Sequence, residues 1–228
     1  MRYVISDIHG EYDLFLKLLN KINFSSSDEM IVCGDIIDKG VDSIKLLKYV
    51  MTKDNIRCII GNHEYYFLKY YLSLMQNSPE DFEFVLKKLM EHFPYDTDLL
   101  NWDVMDYLES LPYFIEEKDF ICVHAGVELN LDKSIVPLGK TRKELLVSDR
   151  RFKEPSVIAQ TDKCVFFGHT PTSYIVKEQG KILKYKKQNA SGTSIKDYYK
   201  IHLDLGVWLH GVLGCFCIDN CTEYYVEK

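Results

Sequence analysis

The sequence predicts an α/β fold in which two β-sheets pack together with helices outside, and three observations carry that prediction. Short apolar runs alternate with amphipathic helical stretches up to residue 60. Several more such runs follow one another from residue 113 onward. The early runs end at glycines that let the backbone turn.

Arg2 to Ile5 reads as the first strand, and Ser6-Asp7-Ile8-His9-Gly10 as the turn leaving it. From Glu11, the residues Tyr12, Phe15, Leu16, Leu19 and Ile22 fall at helical spacing, so the turn feeds a helix packed back on the sheet. Glu29 to Cys33 completes a β-α-β start. Ile31-Val32-Cys33-Gly34-Asp35-Ile36-Ile37-Asp38-Lys39-Gly40 is a buried strand followed by two carboxylates and a lysine between glycines. Ile44, Leu47, Val50 and Met51 mark a second helix, capped by Asp42 and ended by Asn55, before a third strand at Ile56 to Ile60.

A helical region over about residues 63–111 falls into three pieces. Tyr65 to Met75 is apolar nearly all round. Ser78-Pro79 offers an N-cap and first-turn proline before Phe82, Val85, Leu86, Leu89 and Met90. Thr97 or Asp98 can cap the third piece, where Leu100, Val104, Tyr107, Leu108 and Leu111 share a face and Pro112 stops the helix. Beyond its first residues the region carries no ligand-type cluster, which suits a helical cap over one side of a site. Tyr113 to Glu116 and Phe120 to Val123 then read as a hairpin. A polar, loop-rich connection covers residues 127–163, and further strand candidates fall at 164–167, 174–177, 181–185, 200–205, 212–218 and 223–227. With no repeat, low-complexity tract or linker, residues 1–228 read as one domain.

The composition, 46% hydrophobic and 27% charged, is that of an ordinary soluble chain. A net charge of −6 and a pI near 5.7 argue against a nucleic-acid backbone as the main partner. Cys33, Cys58, Cys122 and Cys164 lie in apolar strand-like runs and read as reduced core thiols, as do Cys215, Cys217 and Cys221 in place of a metal site. The first residues run straight into a strand without a leader pattern, and no stretch is long enough to span a bilayer. The expected location is the cytoplasm, with no membrane partner.

Asp35 sits at a strand's carboxyl end, where open α/β sheets place ligands. Ser6 to Gly10, Gly61-Asn62-His63-Glu64, His124-Ala125-Gly126 and Gly168-His169-Thr170 occupy equivalent positions after other strands. One Asp-x-His turn is commonplace scaffolding, but five ligand-bearing turns in one chain are not. Asp7, His9, Asp35, Asn62, His124 and His169 together suit a pair of divalent ions, with Asp35 as the bridge.

These five motifs, in this order along nearly the whole chain, resemble the signature of the phosphoprotein phosphatase branch of the metallophosphoesterases, especially its compact bacterial and phage members. The resemblance implies an αββα sandwich of two facing mixed sheets flanked by helices. It implies one ion on Asp7, His9 and Asp35 and another on Asp35, Asn62, His124 and His169, with manganese expected ahead of iron or zinc. It further implies a phosphomonoesterase acting on phosphoserine or phosphothreonine, and on phosphotyrosine as an extension, in a phosphoprotein or phosphopeptide by direct attack of hydroxide held between the ions. His63, beside Asn62, is the candidate acid for the leaving alkoxide, and Asp38 would orient it and keep it protonated. Lys39, Asn62, Arg150 and Arg151 are the candidates for holding the phosphate.

The chain departs from the family pattern at two places. Lys39 stands where an arginine is usual, and a point charge cannot make the forked guanidinium contact. Between Leu145 and Phe152, where compact bacterial relatives show a tryptophan and then an arginine, this chain has Val147 and Asp149, with Arg150 and Arg151 only adjacent. Asp204, in a segment resembling the closing strand pair, reads as structural. His92, His202 and His210 read as core or surface residues, and Tyr65 and Tyr66 as candidates to line the cleft. Two other readings compete. One is a dinucleoside tetraphosphate hydrolase of the same superfamily, against which Asp38 and Glu64 count. The other is a non-catalytic phosphopeptide-binding module, against which the intact ligand set counts.

Overall fold

The computed structural model describes residues 1–77, 81–94, 99–177 and 180–228. The chain starts as expected, with β1 (Arg2–Ile5), α1 (Tyr12–Lys21), β2 (Glu29–Val32), α2 (Ser43–Met51) and β3 (Ile56–Cys58). Three helices follow: α3 (Asn62–Asn77), α4 (Phe82–His92) and α5 (Trp102–Ser110). The second half carries β4 (Phe114–Glu116), β5 (Phe120–Val123), α6 (Lys143–Ser148), β6 (Cys164–Phe167), β7 (Leu183–Lys186), β8 (Tyr198–His202), α7 (Val207–His210), β9 (Val212–Cys217) and β10 (Glu223–Glu227).

The strands form two mixed five-stranded sheets, ordered β10-β9-β1-β2-β3 and β4-β5-β6-β8-β7. β1, β2 and β3 run parallel in the first, and β5, β6 and β8 in the second, while the remaining pairings are antiparallel. The period-two alternation of strand side chains sorts the apolar residues into layers. Val4, Ile31, Cys33 and Phe216 meet Phe120, Cys122, Phe166 and Ile201 between the sheets. On the outer face of the first sheet, Tyr3, Ile5, Met30 and Val32 pack with Phe15 and Leu18 of α1 and with Leu46, Leu47 and Val50 of α2. Ile121, Val123, Val165 and Phe167 cover the outer face of the second sheet with Leu138, Leu146 and Phe152. The result is the α/β/β/α layering that the sequence predicts. All seven cysteines are free, six of them buried, and no helix among the described residues is long and apolar enough to cross a membrane.

Several local expectations change. Residues 174–177 are not a strand: after Pro171, the amide of Thr172 goes to Asp204 O at 2.8 Å and Thr172–Tyr174 closes as a 3-10 turn, overriding the β-propensity of Ile175 and Val176. The 127–163 connection contains a 3-10 turn at Leu138–Lys140 and α6, whose Leu146 and Val147 are buried. Asp42 occupies the N-cap position of α2 without a capping bond and pairs instead with Lys45 at 2.6 Å. Ser78, Pro79, Thr97 and Asp98 lie outside the described residues. Asp81 caps α4 by accepting from Phe84 N, and Asn101 caps α5 by accepting from Asp103 N. Tyr66 and Leu72 of α3 are exposed, so that helix is not buried all round.

Lys200 of β8 is fully buried, and its Nζ donates to the carbonyls of Phe152, Glu154 and Val157 at 2.6, 2.8 and 2.9 Å. Burial pulls the ammonium down to about 8, but three carbonyls and the ring faces of Phe152, Tyr185 and Tyr199 favour the charged form. The lysine thus anchors the segment that follows Arg150 and Arg151 to the second sheet.

Candidate active site

The carboxyl ends of the parallel strands of both sheets converge. β1 delivers Asp7 and His9, β2 delivers Asp35, Asp38 and Lys39, β3 leads into Asn62 and His63 at the start of α3, and β5 and β6 deliver His124 and His169. The first two turns are laced by backbone bonds: Asp7 N to Gly34 O at 3.1 Å, His9 N to Asp35 O at 2.9 Å and Gly10 N to Ile36 O at 2.7 Å. Gly34 is at φ +80°, and a Cβ there would lie 2.5 Å from Gly61 Cα, so only glycine lets the β2 and β3 turns approach this closely. Asp7, His9, Asp35, Asp38, Lys39 and His169 are all in the left-handed region, at φ from +49° to +73°. Strain at so many neighbouring non-glycine residues, about 1 kcal/mol or more each, persists only where surrounding bonds over-determine the backbone, and it gathers at functional sites.

Glu64 supplies much of that determination, and its role was not evident in the sequence. Fully buried, it accepts from Ile36 N and Ile37 N on Oε1, at 2.7 and 3.0 Å, and from Asp35 N and Gly61 N on Oε2, at 3.0 and 2.8 Å. Its carboxylate therefore organises the loop that carries Asp35. Glu64→Gln turns an amide donor toward two of these N–H groups, and we expect it to cost about 2–3 kcal/mol, or about 4–12 °C in Tm. An unchanged melting temperature would remove Glu64 from this role.

The histidines are set up as ligands. His9 Nδ1 donates to Ile37 O at 3.1 Å and His124 Nδ1 to Cys33 O at 2.8 Å, which fixes each ring with its Nε2 facing inward. His9 Nε2 faces Asp35 Oδ2 at 3.6 Å and the Lys39 ammonium at 3.0 Å. His124 Nε2 lies 3.4 Å from Asp35 Oδ1 and 2.9 Å from Asn62 Oδ1, which His169 Nδ1 approaches to 2.6 Å. His169 Nε2 is buried without a hydrogen-bond partner among the described residues. Electron-rich atoms gathered this closely favour a positive charge among them. Ligand atoms of His9, Asp35 and His63 lie within 4.8 Å of one another, as do those of Asp35, His124 and His169. Asp35 is common to both groups, so the residues fit two divalent cations sharing one carboxylate.

Protonation follows the same geometry. Asp35 is buried, which alone would raise its carboxyl, yet His124 and His63 hold it well below the usual range. Burial lowers His9 and His169 to about 3, keeping both neutral and able to coordinate. The Asp35 charge overcomes burial at His124 and raises it to about 10. Asp7 is pushed up to about 6, chiefly by burial. Its Oδ2 accepts from Ser6 Oγ, and its carboxylate accepts from His169 N at 3.1–3.2 Å. Where the sequence leads one to expect Asp7, His9 and Asp35, the close group is His9, Asp35 and His63; Asp7 is engaged by Ser6 and His169.

His63 Nδ1 lies 2.6 Å from Asp38 Oδ2, the pairing expected from the sequence. Burial opposes a proton on the ring, but Asp35 and the Asp38 bond outweigh it and raise His63 above its ordinary value. A cavity of about 190 Å³ opens above these groups, and Lys39, Asn62, His63, Arg150 and His169 line it. Of the two arginines, Arg150 reaches the wall, whereas Arg151 is exposed and forks onto Asp149, with Nε and a terminal nitrogen 3.1 and 2.9 Å from its oxygens. Tyr65 and Tyr66 do not line the cavity. Their hydroxyls tie α3 to α6 through Glu144 at 2.7 Å and Ser148 at 3.3 Å. Asp204, read as structural from the sequence, accepts from Gly206 N at 2.7 Å and also lines the cavity. Three wall residues, Pro171, Tyr174 and Trp208, were not singled out in the sequence.

The family described as calcineurin-like phosphoesterase matches residues 2–211. The symmetrical bis(5'-nucleosyl)-tetraphosphatase of Klebsiella pneumoniae (strain 342) is 35% identical over 127 residues, covering 55% of this chain but only 43% of that relative's length. Among solved structures, a candidate diadenosine tetraphosphatase superimposes with a TM-score of 0.71 at 18% identity, over 99% of this chain and 92% of that one. A point mutant of a cold-active protein tyrosine phosphatase gives 0.58 at 17% identity, over 99% and 80%. At such identities the two structures speak for the fold alone.

Proposed function

Because the chain belongs to the calcineurin-like phosphoesterases, we propose that it hydrolyses dinucleoside tetraphosphates symmetrically. Water would attack one of the two central phosphorus atoms, the bridging oxygen would leave with the other, and two nucleoside diphosphates would result. The observation that carries this reading is the 35% identity over 127 residues to a symmetrical tetraphosphatase, of whose length the match covers 43%. Glu64 does not weigh against it. Its four bonds go to backbone amides, so it carries no information about the substrate.

Two divalent ions on Asp7, His9, Asp35, Asn62, His124 and His169, with manganese the first to try, would supply an acidified water and neutralise charge at phosphorus. The chain's own groups do the rest. Lys39 and Arg150 hold the polyphosphate on the cavity wall with Asn62, and the buried Glu64 keeps the Asp35 loop in its strained form. His63, held by Asp38, offers a proton toward the departing side.

That last pair favours a second reading, the phosphoserine and phosphothreonine phosphatase that the motifs suggest. An alkoxide leaving group needs a proton, whereas a nucleoside diphosphate leaves as a weak base. Both readings are tested by one assay, in which the protein is incubated with manganese and either diadenosine tetraphosphate or phosphoserine peptides. ADP as the sole nucleotide product, two per substrate consumed, is the expected result. Phosphate release from peptides with no cleavage of the dinucleotide would overturn the first reading in favour of the second.

A further inference from the structure

We propose that Trp208 and Tyr174, on the wall of the same cavity, form a stacking platform for a nucleobase at its mouth, a specificity element that rests on the dinucleotide reading above. Single exposed aromatics are ordinary on protein surfaces. These two differ by their place: Trp208 is 45% and Tyr174 62% exposed, and both line the same cavity as His63 and Arg150.

Their backbones are held rigidly. α7, which carries Trp208, is a single turn between Gly206 and Gly211, both left-handed at φ +67° and +68°, with Val207 buried beneath it. The 3-10 turn carrying Tyr174 is tied to the same segment twice, by Thr172 N to Asp204 O at 2.8 Å and by Ser173 Oγ to His210 Nε2 at 2.9 Å. Two aromatic rings on fixed supports lose little freedom when a flat ligand settles on them.

The neighbouring charge narrows the ligand class. Lys39 Nζ lies 4.9 Å from the Trp208 ring centroid and 3.0 Å from His9 Nε2, so one cation, itself a candidate phosphate holder, joins the ligand cluster to the indole. A ligand that suits both has a phosphate and a planar π system at a short, fixed separation, as a nucleotide does. A phosphoserine peptide carries no planar group at a set distance from its phosphate. Base–aromatic stacking is tolerant of base identity, so the platform would accept purines and pyrimidines alike.

The test compares AMP with ribose 5-phosphate, which differ by the base alone, in calorimetric titrations of the manganese-loaded protein. AMP should bind tighter by roughly 5- to 100-fold, and Trp208→Ala should bring that ratio close to one while leaving ribose 5-phosphate binding unchanged. Tyr174→Ala should reduce the ratio in part, and Trp208→Phe should keep most of it. In kinetics with diadenosine tetraphosphate, Trp208→Ala should raise KM by a similar factor with kcat little changed. A wild-type ratio near one, or an equal loss of both ligands in Trp208→Ala, would overturn the platform. Failure to cleave the dinucleotide would overturn the functional reading alone, because the binding ratio does not depend on turnover.

Discussion

Asp35→Asn is expected to bind less than one equivalent of metal and to lose turnover by a factor on the order of 10³ or more. Asp35 is the only carboxylate common to both close ligand groups, and its oxygens face His124 Nε2 at 3.4 Å, His9 Nε2 at 3.6 Å and His63 Nε2 at 3.8 Å. Removing its charge takes away the attraction that overcomes burial at His124 and His63, and it leaves one carbonyl oxygen in place of two carboxylate oxygens for the ions that Asp35 would hold. The fold should survive, because Oδ1 can still accept from His63 N and the loop remains held through Glu64. Metal content by mass spectrometry, paired with a melting curve, separates the two effects. Near-normal activity with two ions per chain would refute a centre shared through Asp35.

His63→Ala is expected to divide substrates by leaving group. Removing a general acid costs about 10²- to 10⁴-fold where the departing oxygen is strongly basic, as with a serine alkoxide. The loss should be distinctly smaller for an activated aryl phosphate and for a dinucleoside tetraphosphate, whose leaving groups are weak bases. The pH profile carries the same signature. The His63 pKa is raised, so the protonated acid is present below that raised value and is lost as pH rises through it. Asp38→Asn removes a raising contribution and should move the falling limb for phosphoserine peptides to lower pH. Equal losses on every substrate would make His63 a positioning group and leave the acid unassigned.

The layered fold and the ligand turns were legible because both rest on short-range patterns. Apolar runs such as Phe120 to Val123 and Cys164 to Phe167 end at polar turns, and each turn displays its functional side chain within a few residues. What escaped was built from pieces too short to show a period or from long-range pairing. α6 and α7 are six and four residues long. Ile175 and Val176 have strand propensity, but an amide captured by Asp204, far along the chain, decides their conformation. Lys200 sits in a strand where a lysine would ordinarily face water, and only the carbonyls of residues 152–157 explain its burial. Glu64 belongs to a legible motif, yet its four amide partners become visible only when β2 and β3 are side by side. The substrate class was least legible, since the five turns serve the common chemistry while Tyr174 and Trp208 on the cavity wall come from helical turns too short to show a period.

The convergence of strand ends from both sheets makes the centre a clasp between two halves of the molecule. Asp35 and Asn62 come from the first sheet's side and His124 and His169 from the second, so ions bound by all four fasten one half to the other. Cation occupancy then becomes a variable of folding. At about 100 times the dissociation constant, a single bound ion adds about 2.7 kcal/mol to the native state, which for a chain of this size is about 5–10 °C in Tm. The unfolding temperature should therefore climb with the logarithm of free manganese and fall back in a chelator. The ambient supply of a trace metal would set how long the protein lasts as well as how fast it turns over.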